Sequence, residues 1–376
     1  MRKVVHLTTV HHPLDTRIYH KECSSLARNG FDVTLIAPYN EDLDNLAKAP
    51  FHLITQKKSS NRWLRMTRDV WRVYRIAKEM RADVYHFHDP ELLLIGVLLK
   101  KKHNHVVYDV HEDYETGIMQ KKYLPRFVRL IASKIFRAVE MACAKRFEIC
   151  LAEKYYKEKF PNGALVLNYP IIDPVEKHSP NPEDHSMTVD EQIHLLYTGN
   201  VTEDRGALIH AQLADLPNVH MHYVGKCSKN VADNILLAAG EGSKRVHMRG
   251  VESFVNREEI DHTYKQGHWH AGIALFPPTE HYMKKELTKF FEYMNAGLPL
   301  LCSNFPSWKE FVDKHKCGIT VDPYDKEAVS KAIMYLKNNP EEAAQMAQNG
   351  RKAVMELSWT SQEQILVDFY NGMRLV

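Results

Sequence analysis

Residues 288–302 read TKFFEYMNAGLPLLC, a short helix that stops at a glycine and runs straight into an apolar strand. Thr288 is the natural N-cap, Gly297 the natural residue just past the C-terminus, and Pro299 prevents the helix from continuing. The first turn breaks local rules. Lys289 sets a cation against the macrodipole at a cost of roughly 0.3–1 kcal/mol, and Lys289 before Glu292 is the poorer order for a helical ion pair. Such conflicts concentrate where a site needs them.

The same alternation of helix and strand extends in both directions. Val4–Thr9, Asp32–Ala37, Val84–Phe87 and Val106–Val110 are short apolar runs separated by helical patterns at Ile18–Asn29 and Leu64–Met80. The rhythm pauses over 172–192, rich in Pro, Asp, Glu, His and Ser, and then resumes. His194–Thr198, His220–Val224, Val246–Arg249, Gly272–Phe276, Pro299–Cys302 and Gly318–Val321 are the strands of the second part, followed by helical stretches Ala328–Leu336, Ala343–Leu357 and Gln362–Met373. Strands alternating with helices imply parallel α/β sheets covered on both faces. The expected organisation is a first domain over 1–170, a linker over 171–192 and a second domain over 193–359, with the helix from about 360 to 376 packing back on the first. Ligands of such sheets sit at the carboxyl ends of the strands, so a crevice between two facing sheets is the expected site.

With 44% hydrophobic and 26% charged residues in 376, the chain reads as a globular protein of two domains. It lacks a run of roughly 18 apolar residues and its start reads as a strand, which predicts a cytoplasmic protein. The six cysteines form no CxxC pair and read as reduced, buried thiols. Residues 1–170 hold 29 Lys+Arg against 19 Asp+Glu, a net of +10, while the rest holds 21 against 28, a net of −7, which together make the chain's +3. The first half is expected to meet an anionic surface.

The broken rules of the opening stretch are resolved by a bound anion. Backbone N–H groups at Leu287, Thr288 and Lys289 form an anion site at a helix start, and a diphosphate would neutralise Lys289. Glu292, leaning toward the same end of the helix, can accept from both hydroxyls of a ribose. Gly199 and Asn200 end a strand and Arg205 follows, so a bulky ligand can approach backbone and meet a bidentate donor. These residues describe a nucleoside diphosphate clasp.

The opening stretch resembles the signature of retaining GT-B glycosyltransferases, especially the large family four, in the form where Thr-Lys precedes Phe-Phe-Glu-Tyr-Met. TGNVTEDRG at 198–206, VGK at 224–226, RGV at 249–251, AGIALFPP at 271–278 and CGITVDPYDKEAVSKAI at 317–333 match in order. The resemblance implies two Rossmann-like domains facing across a cleft, with a nucleotide diphosphate sugar, UDP-sugar ahead of GDP-sugar, held by the second. It further implies that Glu292 holds the ribose, that amides at Leu287–Lys289 hold the diphosphate, that Arg205 and Lys289 stabilise the departing nucleotide, and that Gly250 and Val251 face the base. No metal and no cofactor are implied. The sequence departs from the family at two points: Lys284 stands where the first of two glutamates is usual, with Glu280 or Glu286 as candidate replacements, and Asn200 stands where an arginine is common.

In the first half, His111 closes a strand at the crevice rim and resembles the family's histidine at the reacting centre. Asp15, Arg17, His88 and Glu112 are the acceptor-side candidates, with Asp15 also a candidate helix N-cap and the segment His88–Glu91 either an acceptor contact or a helix cap. The pairs His11-His12, His86 with His88, His220 with His222 and His268 with His270 bring no acidic or thiol partner at ligand spacing, so no metal site is expected. Residues 61–81 form a basic helix with an aromatic edge and 121–146 a second basic, apolar segment, which suit an anionic membrane surface. No nucleic-acid motif accompanies the charge. The reading that emerges is a retaining, metal-independent transferase that glycosylates a glycan or lipid-linked acceptor in bacterial surface polysaccharide or glycolipid assembly. A sugar-nucleotide epimerase of the same fold, or an inactive binding protein, would keep the clasp without an acceptor.

Overall fold

The structure is a computed structural model and describes residues 1–39, 50–119, 124–172, 192–266 and 268–374. The chain divides into two units, Met1–Ile171 with Trp359–Val376, and Ile172–Ser358. The stretch expected as a linker lies outside the described residues except at its ends.

Unit 1 holds a seven-stranded parallel sheet: β1 (Lys3–Leu7), β2 (Asp32–Pro38), β3 (His52–Gln56), β4 (Val84–Phe87), β5 (His105–Val110), β6 (Glu148–Leu151) and β7 (Ala164–Leu165), in the order β3-β2-β1-β4-β5-β6-β7. Unit 2 repeats the plan with β8 (Ile193–Thr198), β9 (Val219–Cys227), β10 (Val246–Val251), β11 (Ala271–Ala274), β12 (Leu300–Ser303) and β13 (Gly318–Val321), ordered β10-β9-β8-β11-β12-β13. Every pairing is parallel. Central strands are buried on both faces, which is why they read as continuous apolar runs. In each sheet the order reverses between the first and fourth strands, and the loops leaving those two strands diverge to open a binding crevice.

Two of the expected strands end early, at Leu7 and Ala274, and β3, β6 and β7 add to the expected set. The additions are short or half-exposed edge strands, whose apolar signal is weak. The helix from Thr288 to Ala296 starts one residue earlier than its sequence suggested: Leu287 occupies the cap position without a side-chain bond, and Thr288 is the first helical residue. Gly297 adopts φ 72° as the left-handed terminator.

Helix Trp359–Gly372 belongs to unit 1. Trp359, Leu366 and Tyr370 pack with Val4, Leu35, Val84 and Val107 of the sheet and with Ile18 and Leu26. The Trp359 indole donates to Ser25 Oγ at 2.9 Å, and its backbone N–H donates to Pro170 O at 2.7 Å. The opposite face is covered by helices Val70–Met80, Leu93–Leu99 and Arg126–Ala144. Leu366 is fully buried, so Leu366→Ala should cost about 2–5 kcal/mol in urea unfolding; a cost below about 1 kcal/mol would show that this helix is not part of the core.

Candidate active site

At the switch point of unit 2, the loops after β8 and β11 bring together Gly199, Arg205 and Lys289. Lys289 does not extend into solvent from its helix. Its side chain folds back against the end of β8, where Nζ donates to Thr198 O and sits 4.5 Å from the Tyr197 ring centre. A Cβ on Gly199 would stand 2.8 Å from that Nζ, and Gly199 has φ 86°, so this strand end accommodates only glycine comfortably. Burial draws the Lys289 ammonium down to about 8, Glu292 opposes the shift, and the nearby Arg205 adds to it.

Arg205 lies in a single 3₁₀ turn, Glu203–Arg205, and the α-helix begins only at Ala207. Its Nε reaches Tyr282 Oη at 3.3 Å, and the Tyr282 hydroxyl donates to Asp204 Oδ2 at 2.8 Å. Among the described residues it forms no ion pair within 4 Å, so the guanidinium keeps donors for an anion. Burial pushes Arg205 down, but the Tyr282 contact and the Asp204 charge raise it overall.

Glu292 is held in place by its neighbours. Arg257 Nη1 lies 2.5 Å from Oε1, and the Tyr264 hydroxyl donates to Oε2 at 3.3 Å. Tyr264 is in turn 2.8 Å from Thr198 Oγ1, so Glu292 and Lys289 are tied to the same strand end from two sides. Lys289 and Glu292 therefore have separate partners. No side chain caps helix Thr288–Ala296, and Thr288 is exposed. Asn200 is exposed beside Gly199, while Gly250 and Val251 end the edge strand β10, with Gly250 against Gly225 O. Glu280 and Lys284 are exposed and Glu286 half-buried. Sequence reading missed Arg257, Tyr264 and Tyr282, which come from elements with no motif of their own.

Unit 1 places its candidates around Asp109 at the end of β5. Arg17 grips this carboxylate with Nε–Oδ2 at 2.9 Å and Nη2–Oδ1 at 2.7 Å, lies 3.0 Å from Glu22 Oε1, and donates to Val166 O. It is buried and fully engaged, which corrects the expectation of an acceptor-side arginine. His88 is corrected likewise: it is buried, with Nδ1 3.0 Å from Asp109 Oδ2 and Nε2 3.0 Å from His6 Nδ1. Burial pushes Asp109 up, but Arg17 and the two histidines hold it well below the ordinary carboxylate range. Asp15 is the helix N-cap, accepting from the Arg17 and Ile18 N–H groups at 2.9 Å. Asp89 caps no helix; it binds the loop after β1 through Thr8 Oγ1 and Thr9 N–H.

His111 and His11 form the outer part of this array. His111 Nδ1 is 3.1 Å from Asp109 Oδ2, and its Nε2 is 3.0 Å from His11 Nε2, which also faces Asp89 Oδ1 at 3.2 Å. Glu112 is exposed, and its carboxylate lies within 4.8 Å of both imidazoles. For His11 and for His86 with His88 the expected absence of an acidic partner is thus overturned, because strand neighbours and a helix bring together groups far apart in sequence.

Residues 16–153 match the family described as Glycosyltransferase Family 4, and residues 206–353 match Glycosyl transferases group 1. With one glycosyltransferase match on each doubly wound unit, the chain belongs to the GT-B glycosyltransferases. Comparison with curated proteins gives no match. Among solved structures, sucrose-phosphate synthase of Thermosynechococcus elongatus superposes with TM-score 0.73 at 15% identity over 99% of this chain and 98% of that one. A glycosyltransferase of Rickettsia africae gives 0.72 at 13% identity over 99% of each chain. The Anabaena protein HepE, in complex with UDP and glucose, gives 0.69 at 13% identity over 99% and 100%.

His11 supplies a test of the unit 1 array. Burial lowers this imidazole, but the Asp89 hydrogen bond and charge, with Asp15 and Glu112, raise it to about 8 from 6.5. A raised base stabilises the folded chain below its unfolded pKa, and that contribution is lost as pH rises through the folded value. His11→Gln should therefore cost up to about 2 kcal/mol below pH 6.5, and the difference from wild type should vanish by about pH 8.5. A difference independent of pH would remove the charged His11 from the array.

Proposed function

We propose that this chain transfers a sugar with retention from a nucleotide diphosphate sugar, UDP-sugar ahead of GDP-sugar, to an acceptor hydroxyl of a glycan or lipid-linked precursor of bacterial surface polysaccharide. The observation that carries this reading is the convergence of Gly199, Arg205 and Lys289 at the switch point of the second sheet, where an anion would meet two cations and an open strand end. HepE, similar in fold, has been solved in complex with UDP-glucose.

In this reading the diphosphate lies on the amides of Leu287, Thr288 and Lys289. Glu292, oriented by Arg257 and Tyr264, retains carboxylate lone pairs for the ribose hydroxyls. Breaking the sugar–phosphate bond builds negative charge on the β-phosphate. Arg205 and Lys289 are fixed before that charge forms and so favour the transition state over the bound donor. The acceptor hydroxyl attacks from the face the nucleotide leaves, without a protein nucleophile. His111, Asp15 and Glu112 are the unit 1 groups assigned to the reacting centre and acceptor, and Gly250 with Val251 the groups assigned to the base.

A membrane-bound acceptor suits the surface of unit 1. Three neighbouring helices on one face of its sheet expose large apolar side chains: Trp63 and Trp71, Leu94 and Leu98, and the stripe Phe127, Ile131, Ile135 and Val139. Trp63 is 75% and Phe127 65% exposed, and the cations Arg62, Arg75, Arg126, Lys134 and Arg137 lie among them. Among the described residues no helix is long and apolar enough to cross a membrane, so contact would be interfacial. Residues 121–123 of the second basic segment lie outside the described residues.

Calorimetric titration of UDP, GDP and ADP tests the clasp. UDP should bind most tightly, and Glu292→Ala should weaken it at least tenfold, about 1.4 kcal/mol; no binding, or an unchanged constant, would remove the donor assignment. The pH dependence tests Lys289 separately. A diphosphate prefers the charged amine, so affinity should be flat below about pH 8 and fall above it, by at most tenfold per pH unit, because the free chain must then take up a proton. Lys289→Met should abolish that slope. On the membrane side, flotation with phosphatidylglycerol vesicles at low salt should recover the chain, and Trp63→Asp with Ile131→Asp should abolish recovery; equal recovery with neutral vesicles would remove the electrostatic part of the contact.

A further inference from the structure

The strand register of unit 1 gathers three imidazoles on one face of the sheet. His6 of β1 pairs directly with His86 of β4, and His88 follows two residues on, pointing the same way. Glu22, from the helical segment Thr16–Cys23 that covers this face, brings its Oε2 to 3.9 Å from His6 Nδ1, 3.9 Å from His86 Nε2 and 3.9 Å from His88 Nε2. All four side chains are fully buried. One ligand atom from each lies within 4.8 Å of every other.

One hydrogen bond crosses this group, between His6 Nδ1 and His88 Nε2 at 3.0 Å, while other atoms at its centre have no partner among the described residues. His88 Nδ1 faces Asp109 Oδ2 at 3.0 Å, which fixes the N–H on that side and leaves a lone pair at Nε2. His86 Nδ1 is 2.7 Å from the Tyr370 hydroxyl, and its Nε2 has no hydrogen-bond partner among the described residues. Glu22 Oε2 has none either. Glu22 Oε2 thus faces three imidazole nitrogens at 3.9 Å, each too far for a hydrogen bond. The charges point the same way. Glu22 and Asp109 share one buried arginine, Arg17, while Lys21 turns its ammonium to Asn168 Oδ1 at 2.7 Å.

We infer that His6, Glu22, His86 and His88 form a closed binding site for a divalent transition-metal cation of the zinc, cobalt or nickel class. Ligands about 2.1 Å from a common ion can stand up to about 4.2 Å apart, so the 3.0 and 3.9 Å separations fit, and the widest pair needs to close by about half an ångström at most. Three imidazoles and one carboxylate suit this class of ion over magnesium or calcium. Asp109 on His88 and Tyr370 on His86 supply the outer hydrogen bonds that orient metal-bound histidines. No open position faces solvent, so the ion is structural, joining β1, β4 and the first helix, with Tyr370 of the last helix bonded to one of its ligands.

Because the site is closed, the metal must be present while the chain folds. The full chain, without a polyhistidine tag, is produced in cobalt-supplemented and zinc-supplemented cultures, and metal content is read by mass spectrometry and by the visible absorption of cobalt. The expected result is about one ion per chain, resistant to EDTA until the protein is unfolded, with retention in Glu22→Gln and His86→Gln reduced at least tenfold. Wild-type protein holding less than about a tenth of an ion per chain after folding with either metal would overturn the site, whether or not the variants fold. So would full retention in folded Glu22→Gln and His86→Gln, which would place the ion elsewhere.

Discussion

A parallel sheet cannot be built from adjacent hairpins; each strand must be reached by a right-handed crossover, and a sheet grown outward from its centre has to reverse once. This chain meets that constraint twice, at β1/β4 and at β8/β11. At each reversal two loops leave in opposite directions, and the strand ends between them cannot be covered by a connecting helix. The candidate site residues described above lie at or just beneath those two places. The cations of unit 2 stand on the loop after β8 and on the helix that follows β11, while most of the histidines and carboxylates of unit 1 lie on or just after β1, β4 and β5, with Glu22 on the first helix.

The two places handle charge in opposite ways. Around Asp109 and Asp89 in unit 1, buried charges are matched: Asp109 receives Arg17, His88 and His111, and Asp89 receives the loop after β1 together with His11. Removing one member of such a set leaves another uncompensated in a low-dielectric interior, which is costly and makes the array rigid. In unit 2 the cations are under-matched. Lys289 has a carbonyl and an aromatic face, and Arg205 a phenol, where carboxylates would be the stronger partners. Lys289 held this way is destabilised as a cation before any ligand arrives, and an anion that restores its charge gains the difference on binding.

Much of this could be read in the sequence, and what could not has a common cause. The alternation of apolar runs with helical spacing gave the two sheets, and Gly297 ends its helix as its position requires. Lys289 stood out because its charge opposed the helix start. Its partner did not, since Thr198 is 91 residues away and contributes a carbonyl that any residue would supply. Arg17 was misread for a related reason: charge in a loop-like segment suggests a surface, but Asp109 lies 92 residues further on and draws it inward. The i, i+2 spacing of His86 and His88 was visible, whereas Glu22 joins them only after a helix folds over the sheet. Thr288 has the chemistry of an N-cap, yet the chain enters the helix one residue earlier, at Leu287.

The hydrogen bond from Trp359 N–H to Pro170 O joins the two chain segments of unit 1, and unit 2, Ile172–Ser358, is inserted between them in the sequence. During synthesis, unit 1 is made first and completed last. Until Trp359, Leu366 and Tyr370 leave the ribosome, one face of its sheet lacks part of its cover and His86 lacks the hydroxyl beside it. Unit 2 emerges in that interval with all its strands in hand and can fold first. Its folding replaces a long flexible loop by a compact body, lowering the entropy lost when the last helix docks. The second domain in the sequence thus assists assembly of the first.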